Sequence, residues 1–502
     1  MLAVSRTFAL IAIEAEPVHV ELDVAKGLPG FTIVGLPDAA VRESRERVRA
    51  ALLNSGFDFP LKRITANLAP ADLRKAGPGF DLAIAAAVLV ASDQVASGVL
   101  ERYALAGELA LDGSIRPVPG ALAMAEGARA LGLRGIAVAP SDAPLAAVVD
   151  GLEVIALEHV SQLPLLGNGE LVPLPASEAL DLAEEGPLGA ESEGDLADLR
   201  GQPALRRALE IAAAGGHSML LLGPPGAGKT LAARRLPSLL PPLSRTEALE
   251  VIRIAGAGGQ AEVGPARRPF RAPHHTASPR SLIGGGAPPR PGEVTRAHRG
   301  VLFLDELGEF RRDALESLRQ PLEQGRVTIT RVSGSISLPC SFMLVAASNP
   351  CPCGHGTDSG ECECHSGAVT RYRSKLSGAL ADRIDIQVAV ERPAAEHLAE
   401  GPGEGSEAVR DRVRAARERQ YARLGEGRCN ADMGTEELRR HGKLDVAAAE
   451  LLMEGHRDLG LSGRGWDRVI RVARTLADLD GADGVGEPQI AAALSMRRRV
   501  EV

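Results

Sequence analysis

The sequence predicts an α/β protein in three parts: an α+β domain over residues 1–165, a parallel sheet covered by helices over 196–392, and a helical region over 393–502. An acidic linker over 166–195 separates the first two. Three observations predict this. Short β-type runs alternate with helical stretches at the start of the chain; the apolar runs SMLLLG, VLFLDE and FMLVAASN read as buried parallel strands; and from about 393 the sequence turns helical and charged, with no convincing strand.

Bulk properties set the limits. A chain of 502 residues exceeds what one core can organise, so several domains are expected. Hydrophobic residues make up 45%, charged 24% and aromatic 3%, which is ordinary globular composition with cores of Leu, Val and Ala. A net charge of −8 excludes attraction of nucleic acid to the chain as a whole, so such a partner needs a local basic surface. No apolar run reaches the roughly 18 residues that span a bilayer. The opening MLAVSRTFALIAIEAEP has glutamates where a signal peptide needs small residues, so the expectation is a cytoplasmic protein with no membrane role.

In the first part, HVELDV, FTIVGL and ITANLA read as strands, and AAVRESRERVRAALLNSG and DLAIAAAVLVAS as helices. The linker GNGELVPLPASEALDLAEEGPLGAESEGDL is rich in Gly, Pro, Glu and Ser and too poor in large apolar groups to add to a core. LRRALEIAAAGG is an amphipathic helix that leads into SMLLLG. The last part carries helical patterns at AVRDRVRAARERQYARL, LDVAAAELLMEGHRDL, WDRVIRVARTLADLDG and PQIAAALSMRRRV, a small bundle. No internal repeat is evident.

Between SMLLLG and the helical LAARRL lies GPPGAGKT, which fits the phosphate-loop pattern G-x-x-x-x-G-K-[ST] in its proper strand-loop-helix setting. Gly223, Pro224, Pro225, Gly226, Ala227 and Gly228 turn the backbone so that its N–H groups face phosphates. Lys229 reaches the β and γ phosphates, Thr230 holds magnesium, and Leu231 follows in a helix whose amino end favours negative charge. VLFLDE ends in two carboxylates, Asp305 for magnesium and Glu306 to polarise the attacking water of ATP. Alone that ending is weak evidence; with the phosphate loop it is specific. FMLVAASN delivers Asn349 to the same edge, either to hold the lytic water or to cap the next turn. In LADRIDI, Arg383 is either a surface ion-pair partner or an arginine finger presented to a neighbouring subunit's nucleotide.

CPCGHGTDSGECECH gathers Cys351, Cys353, Cys362 and Cys364 with His355 and His365 nearby. Two thiol pairs on a Gly-rich loop can wrap a tetrahedral zinc ion, although C-x-C is tighter than the usual C-x-x-C, and reduced thiols folded against the loop remain the alternative. Such a site would pin the loop that follows Asn349. In RPFRAPHHTAS, Arg271, His274 and His275 stand beside Thr276 with no carboxylate or cysteine close in sequence, which favours a loop near nucleotide or pore over a metal site. The glycines 284–286 suit a mobile insertion or a plain turn. Arg311, Arg312 and the terminal RRRV read as solvated faces.

Several long stretches resemble one family, the YifB/ComM group of magnesium-chelatase-like AAA+ ATPases. They are GLPGFTIVGLPDAAVRESRERVRAALLNSGFDFP, NLAPADLRKAGPGFDLAIA and GELALDGSIRPVPGAL; GGHSMLLLGPPGAGKT, RPFRAPHHTAS, GGGAPPRPGEV, GVLFLDELGEF, LRQPLEQGRVTITR, NPCPCG and LADRIDI; and LSGRGWDRVIRVARTLADL. The resemblance covers nearly the whole chain apart from the linker. It implies an amino-terminal domain of ribosomal-S5-like type, shared with Lon-type proteases, then an AAA+ P-loop ATPase module and a carboxyl-terminal helical lid. It further implies a hexameric DNA helicase that drives branch migration when incoming strands recombine during natural transformation, with DNA and recombination proteins as partners. By position, Asn349 resembles the first sensor, Arg383 the finger and Arg464 the second sensor on the lid, with Arg471 the alternative and a surface arginine the plain reading. Two departures stand out. KAGPGF has Gly79 where Lon-type proteases place a nucleophilic serine, with Lys75 upstream, so proteolysis is not expected. SGALADR lacks the usual leucine pair before its aspartate, a mild change.

Three functions share this motor: DNA translocation, a magnesium-chelatase-type partner ATPase, and protein remodelling without protease activity. The full-length resemblance favours the first. The extra amino-terminal domain counts against the second, and Gly79 weakens the third.

Overall fold

The computed structural model describes residues 2–175, 194–258, 267–286, 289–331, 334–356, 361–376, 380, 383–399 and 401–497. Most of the acidic linker, and residues 377–379 and 381–382 of SGALADR, lie outside this set. The chain divides into two compact units, one of residues 1–184, 248–266 and 285–291, the other of 185–247, 267–284 and 292–502.

The first unit is built on a seven-stranded mixed sheet. Leu2–Ile11 pairs antiparallel with Glu14–Ala25, which pairs antiparallel with Arg63–Ala69, and Gly30–Val34 joins in parallel at the edge. Beyond Leu2–Ile11 the sheet continues through the parallel strands Tyr103–Leu105, Gly135–Val138 and Glu153–Ala156. The alternation Val18, Val20, Leu22 along one strand and Ile64, Ala66, Leu68 along the next is buried on one face. Against it packs the Asp81–Ala91 helix, every residue of which is buried, as its continuous run of Ala, Leu, Ile and Val requires.

The second unit contains a five-stranded, all-parallel sheet in the spatial order Phe270–Arg271, Val301–Leu304, Met343–Ser348, Met219–Leu222, Ile386–Ala389. Three of these strands fall where the apolar runs predict them and are buried on both faces. Phe270–Arg271 and Ile386–Ala389 are not evident in the sequence, being too short to show a period. Met219–Leu222 lies between Met343–Ser348 and Ile386–Ala389, with Met219 opposite both Val345 and Ile386. Adjacent strands that are not adjacent in sequence leave a crevice at their carboxyl ends, where α/β sheets bind ligands.

The carboxyl-terminal region is helical, with Ser406–Leu424, Val446–Leu459, Gly463–Leu479 and Glu487–Ser495 as its main helices. Val469, Val472, Ala473 and Leu476 of Gly463–Leu479 join one apolar core with Leu209 and Ile211 of the Pro203–Gly215 helix and with Met219 and Ile386 of the sheet. The same helix is tied to the amino ends of two strands by buried polar groups. His217 Nδ1 lies 3.1 Å from Asp385 Oδ2 and its Nε2 2.8 Å from Thr475 Oγ1, while Arg468 Nε reaches Asp385 Oδ1 at 2.9 Å. Burial pushes the Asp385 carboxyl upward, but the His217 hydrogen bond and the charges of His217, Arg468 and Arg471 outweigh it and hold the group below the usual carboxylate range. Among the described residues no helix is long and apolar enough to cross a membrane.

Candidate nucleotide site

Leu222 ends its strand and the chain turns through Gly223–Gly228 into the helix Lys229–Leu239. Gly228 caps that helix at φ 89°, a left-handed conformation that side chains disfavour, which accounts for glycine there. Gln202, a residue the sequence gives no reason to single out, buttresses the loop: its Nε2 donates to the Ala227 carbonyl at 2.8 Å and to the Glu391 carbonyl at 3.0 Å.

Lys229 is folded back over the loop. Its Nζ donates to the carbonyls of Gly223 at 2.6 Å and Pro224 at 2.9 Å, and to Asn349 Oδ1 at 3.0 Å. Burial draws this ammonium below the usual lysine range, with Asp305 and Glu306 opposing the shift. Thr230 Oγ1 donates to Asp305 Oδ2 at 2.8 Å, and the other carboxylate oxygen accepts the Glu306 N–H at 2.9 Å. Glu306 follows at φ 52°, in the left-handed region that residues other than glycine seldom adopt. Lys229, Thr230, Asp305 and Asn349, from three separate segments, are thus joined by direct hydrogen bonds at one edge of the sheet, with Glu306 beside them.

The fold also brings Glu306 something the sequence does not show. His275 Nδ1 lies 3.2 Å from Glu306 Oε2, so the histidine pair does have a carboxylate neighbour, supplied from a different strand end. Arg271 is taken up by Glu293, with bonds of 2.8 and 3.2 Å. Arg311 and Arg312 pair with Asp313 and Glu316 on exposed surface, as expected of a solvated face.

Arg383 and Arg464 meet elsewhere. Both reach Glu323 Oε1, Arg383 NH2 at 2.5 Å and Arg464 NH1 at 3.4 Å. Arg471 donates from NH2 to the Met433 carbonyl at 2.5 Å. Arg383 precedes Ile386, whose strand runs parallel to Met219–Leu222 with Met219 opposite Ile386 and Leu222 opposite Ala389. It therefore stands at the amino ends of the strands, whereas the phosphate loop leaves their carboxyl ends, a separation of about four residues of strand or roughly 13 Å.

Cys351, Cys353, Cys362 and Cys364 converge, with all four sulfur atoms within 4.8 Å of one another. The Cys351–Cys353, Cys351–Cys362 and Cys353–Cys362 separations are 3.2, 3.6 and 3.7 Å. Tetrahedral zinc with Zn–S near 2.3 Å would set sulfurs about 3.8 Å apart, so the cluster fits that ion. The His355 main-chain N–H, then the Cys351 thiol, pulls Cys353 down to about 6, toward the thiolate that binds metal. The cluster adjoins the phosphate loop: a Cβ on Gly354, at φ 91°, would lie 2.7 Å from Pro225 Cδ. Hard oxygen donors suit magnesium in the same way at the other position, where Thr230 Oγ1 and Asp305 Oδ2 already share one spot.

Comparison with known proteins matches the chain along its length. A family model described as magnesium chelatase, subunit ChlI, covers residues 195–398; models of the same subunit cover 20–142 and, for its carboxyl-terminal part, 403–497. The chain is 42% identical to uncharacterized protein YifB of Escherichia coli, over 99% of this chain and 97% of that protein. It is 44% identical to uncharacterized protein Rv2897c of Mycobacterium tuberculosis, over 99% of each. With competence protein ComM of Haemophilus influenzae it shares 41% identity, over 100% of this chain and 98% of that one.

Proposed function

The chain belongs to the YifB/ComM family of magnesium-chelatase-like AAA+ ATPases, and from that premise we propose that it is a cytoplasmic, ATP-driven DNA motor working as a homo-hexamer. The observation that carries the ATPase reading is the meeting of Lys229, Thr230, Asp305 and Asn349 at one sheet edge. Each of these groups is hydrogen-bonded to another or to the loop, and ATP with magnesium would exchange those partners for phosphate and metal oxygens. Lys229 and the loop N–H groups bind the phosphates, and Asn349 positions water. Thr230 and Asp305 hold magnesium, which when bound neutralises phosphate charge. Glu306 takes a proton from the attacking water.

Arg383 and Arg464 act on a neighbouring subunit's nucleotide in this reading. The position of Arg383 beyond the opposite strand ends supports action in trans, and Arg464 shares its Glu323 partner. The cysteine cluster holds structural zinc that fixes the stretch from Asn349 to Gly354 against Pro225. The amino-terminal unit is of the ribosomal-S5 and Lon-like type without a protease site: Gly79 stands in the nucleophile position, and Lys75 is buried with its Nζ donating to the Pro70 carbonyl.

DNA as the moved substrate, with branch migration in recombination as the task, is supported by the relative named competence protein. The test is ATP turnover of the purified chain with and without single-stranded or branched DNA. Stimulation by DNA of about 3-fold or more supports a DNA motor. Stimulation by an unfolded protein instead would point to a remodeller.

A further inference from the structure

The ladder between Val301–Leu304 and Met343–Ser348 ends with Leu304 opposite Ala346, so Glu306 on one segment and Ser348 and Asn349 on the other lie beyond the last paired residues. Strand pairing fixes neighbouring segments only as far as its hydrogen bonds run, and past that point another element has to hold them. The helix Ser366–Leu376 does so. It follows the cysteine cluster directly, with the Ala368 and Val369 N–H groups donating to the His365 carbonyl at 2.8 and 3.2 Å. Its Tyr372 is buried, and the phenol oxygen lies 3.1 Å from Ser348 Oγ, which in turn donates to the Asn349 carbonyl at 3.1 Å. A serine hydroxyl has one hydrogen to give, so in the Tyr372–Ser348 bond the phenol is the donor. Burial pushes that phenol above its usual range, with the Ser348 bond opposing, and keeps its hydrogen in place. The Ser348 carbonyl accepts the Gly223 N–H at 3.2 Å, so the same residue is also held from the phosphate loop. The Tyr372 ring meets the second segment at Gly308, in the short turn Leu307–Glu309 that follows Glu306, where a Cβ would overlap ring atoms Cε2 and Cζ. Three residues on, Lys375 Nζ donates to the Gly308 carbonyl at 2.7 Å.

We propose that Tyr372 is a positioning residue for ATP hydrolysis: through Ser348 and Gly308 it sets the spacing between the Asn349 amide and the turn that begins at Glu306. The inference rests on the reading in which Asn349 holds the attacking water and Glu306 takes its proton. That water has to meet both groups at once, so an error in their spacing slows the bound complex. The contacts of the loop and Lys229 with the phosphates do not pass through Tyr372, and ATP binding is left as it was.

The experiment measures kcat and KM for ATP in the full chain carrying Tyr372→Phe, alone and in an Asn349→Ala background. Phenylalanine keeps the ring against Gly308 and removes the hydroxyl. kcat should fall about 3- to 10-fold, the size expected on losing one hydrogen bond, with KM within about 2-fold of the parent. In Asn349→Ala the same change should alter the residual rate by less than about 2-fold, because the amide it acts through is gone. Loss of folded protein would instead lower the rate equally in both backgrounds. Should Tyr372→Phe fail to fold, Ser348→Ala removes the same bond from its other end and should show the same fall. Parental kcat, a rise in KM in place of the fall in kcat, or an equal fall in the Asn349→Ala background overturns the positioning role. Parental turnover in Asn349→Ala alone is a separate result: it removes the role of Asn349, and the role of Tyr372 with it.

Discussion

At the start of the helix that packs on the seven-stranded sheet, Asp81 is completely buried and accepts from Arg47 Nε at 2.7 Å, from Arg47 NH2 at 3.1 Å and from the Leu109 N–H at 3.2 Å. At the carboxyl edge of the five-stranded sheet, Thr230 and Glu306 are exposed and pair with single partners, Asp305 and His275. The first arrangement cannot change partners without stranding a charge away from water, which costs several kcal/mol. The second can, because solvent or a ligand oxygen can replace either partner at small cost. The Asp81–Arg47 pair holds the fold together, and the groups at the carboxyl edge of the five-stranded sheet are available for chemistry.

Among changes that test this contrast, the largest effect breaks the exposed set. Glu306→Gln should lower ATP turnover by about 100-fold or more while nucleotide still binds, read by phosphate release beside fluorescent-nucleotide titration. Unchanged turnover would show that the exposed carboxylates are as structural as Asp81. The converse change is Arg47→Ala, which leaves Asp81 buried without its cation. It should cost about 4 kcal/mol of stability in denaturant melts with turnover per folded molecule unchanged. A third measurement sharpens the contrast by pH. Burial raises the Asp142 carboxyl to about 6 from 3.8, with the Val118 N–H opposing. The folded chain therefore keeps that proton to higher pH than the unfolded chain. The resulting stability is complete below about 3.8 and falls away as pH rises to about 6, by about 3 kcal/mol at most. Melting curves of Asp142→Asn should lack that component; an identical pH dependence in both proteins would deny it. The smallest effect concerns the cysteine cluster, where Cys351→Ser with Cys353→Ser should abolish stoichiometric zinc and raise KM for ATP by about 3-fold through the loosened Asn349–Gly354 stretch. Metal analysis and turnover on the same sample decide it.

Legibility in the sequence followed the range of the interactions. The segments around Gly223–Thr230, Asp305 and Asn349 announce themselves because each is a local pattern, an apolar strand followed by a polar turn, and a parallel sheet aligns such turns at one end. Long helices such as Asp81–Ala91 and Gly463–Leu479 are visible for the same reason, as a continuous apolar run or sustained periodicity, whereas Arg245–Ala257 is not. Phe270–Arg271 and Ile386–Ala389 are hidden because their strand character comes from pairing with neighbours far away in sequence. That is also why the approach of His275 to Glu306 and the meeting of Arg383 with Arg464 on Glu323 escape a reading along the chain. Neither spacing nor composition encodes which loop a strand neighbour will set alongside. Gln202 is missed for a different reason: its two bonds go to main-chain carbonyls, which any sequence offers.

Lys229 touches both the phosphate loop and Asn349. Phosphate release from ATP, measured side by side for the parent chain and Lys229→Ala in the presence of magnesium, should fall by about 1000-fold in the variant, with nucleotide binding lost and the melting transition retained. Equal release by the two folded proteins would mean that the cluster at the sheet edge hydrolyses nothing.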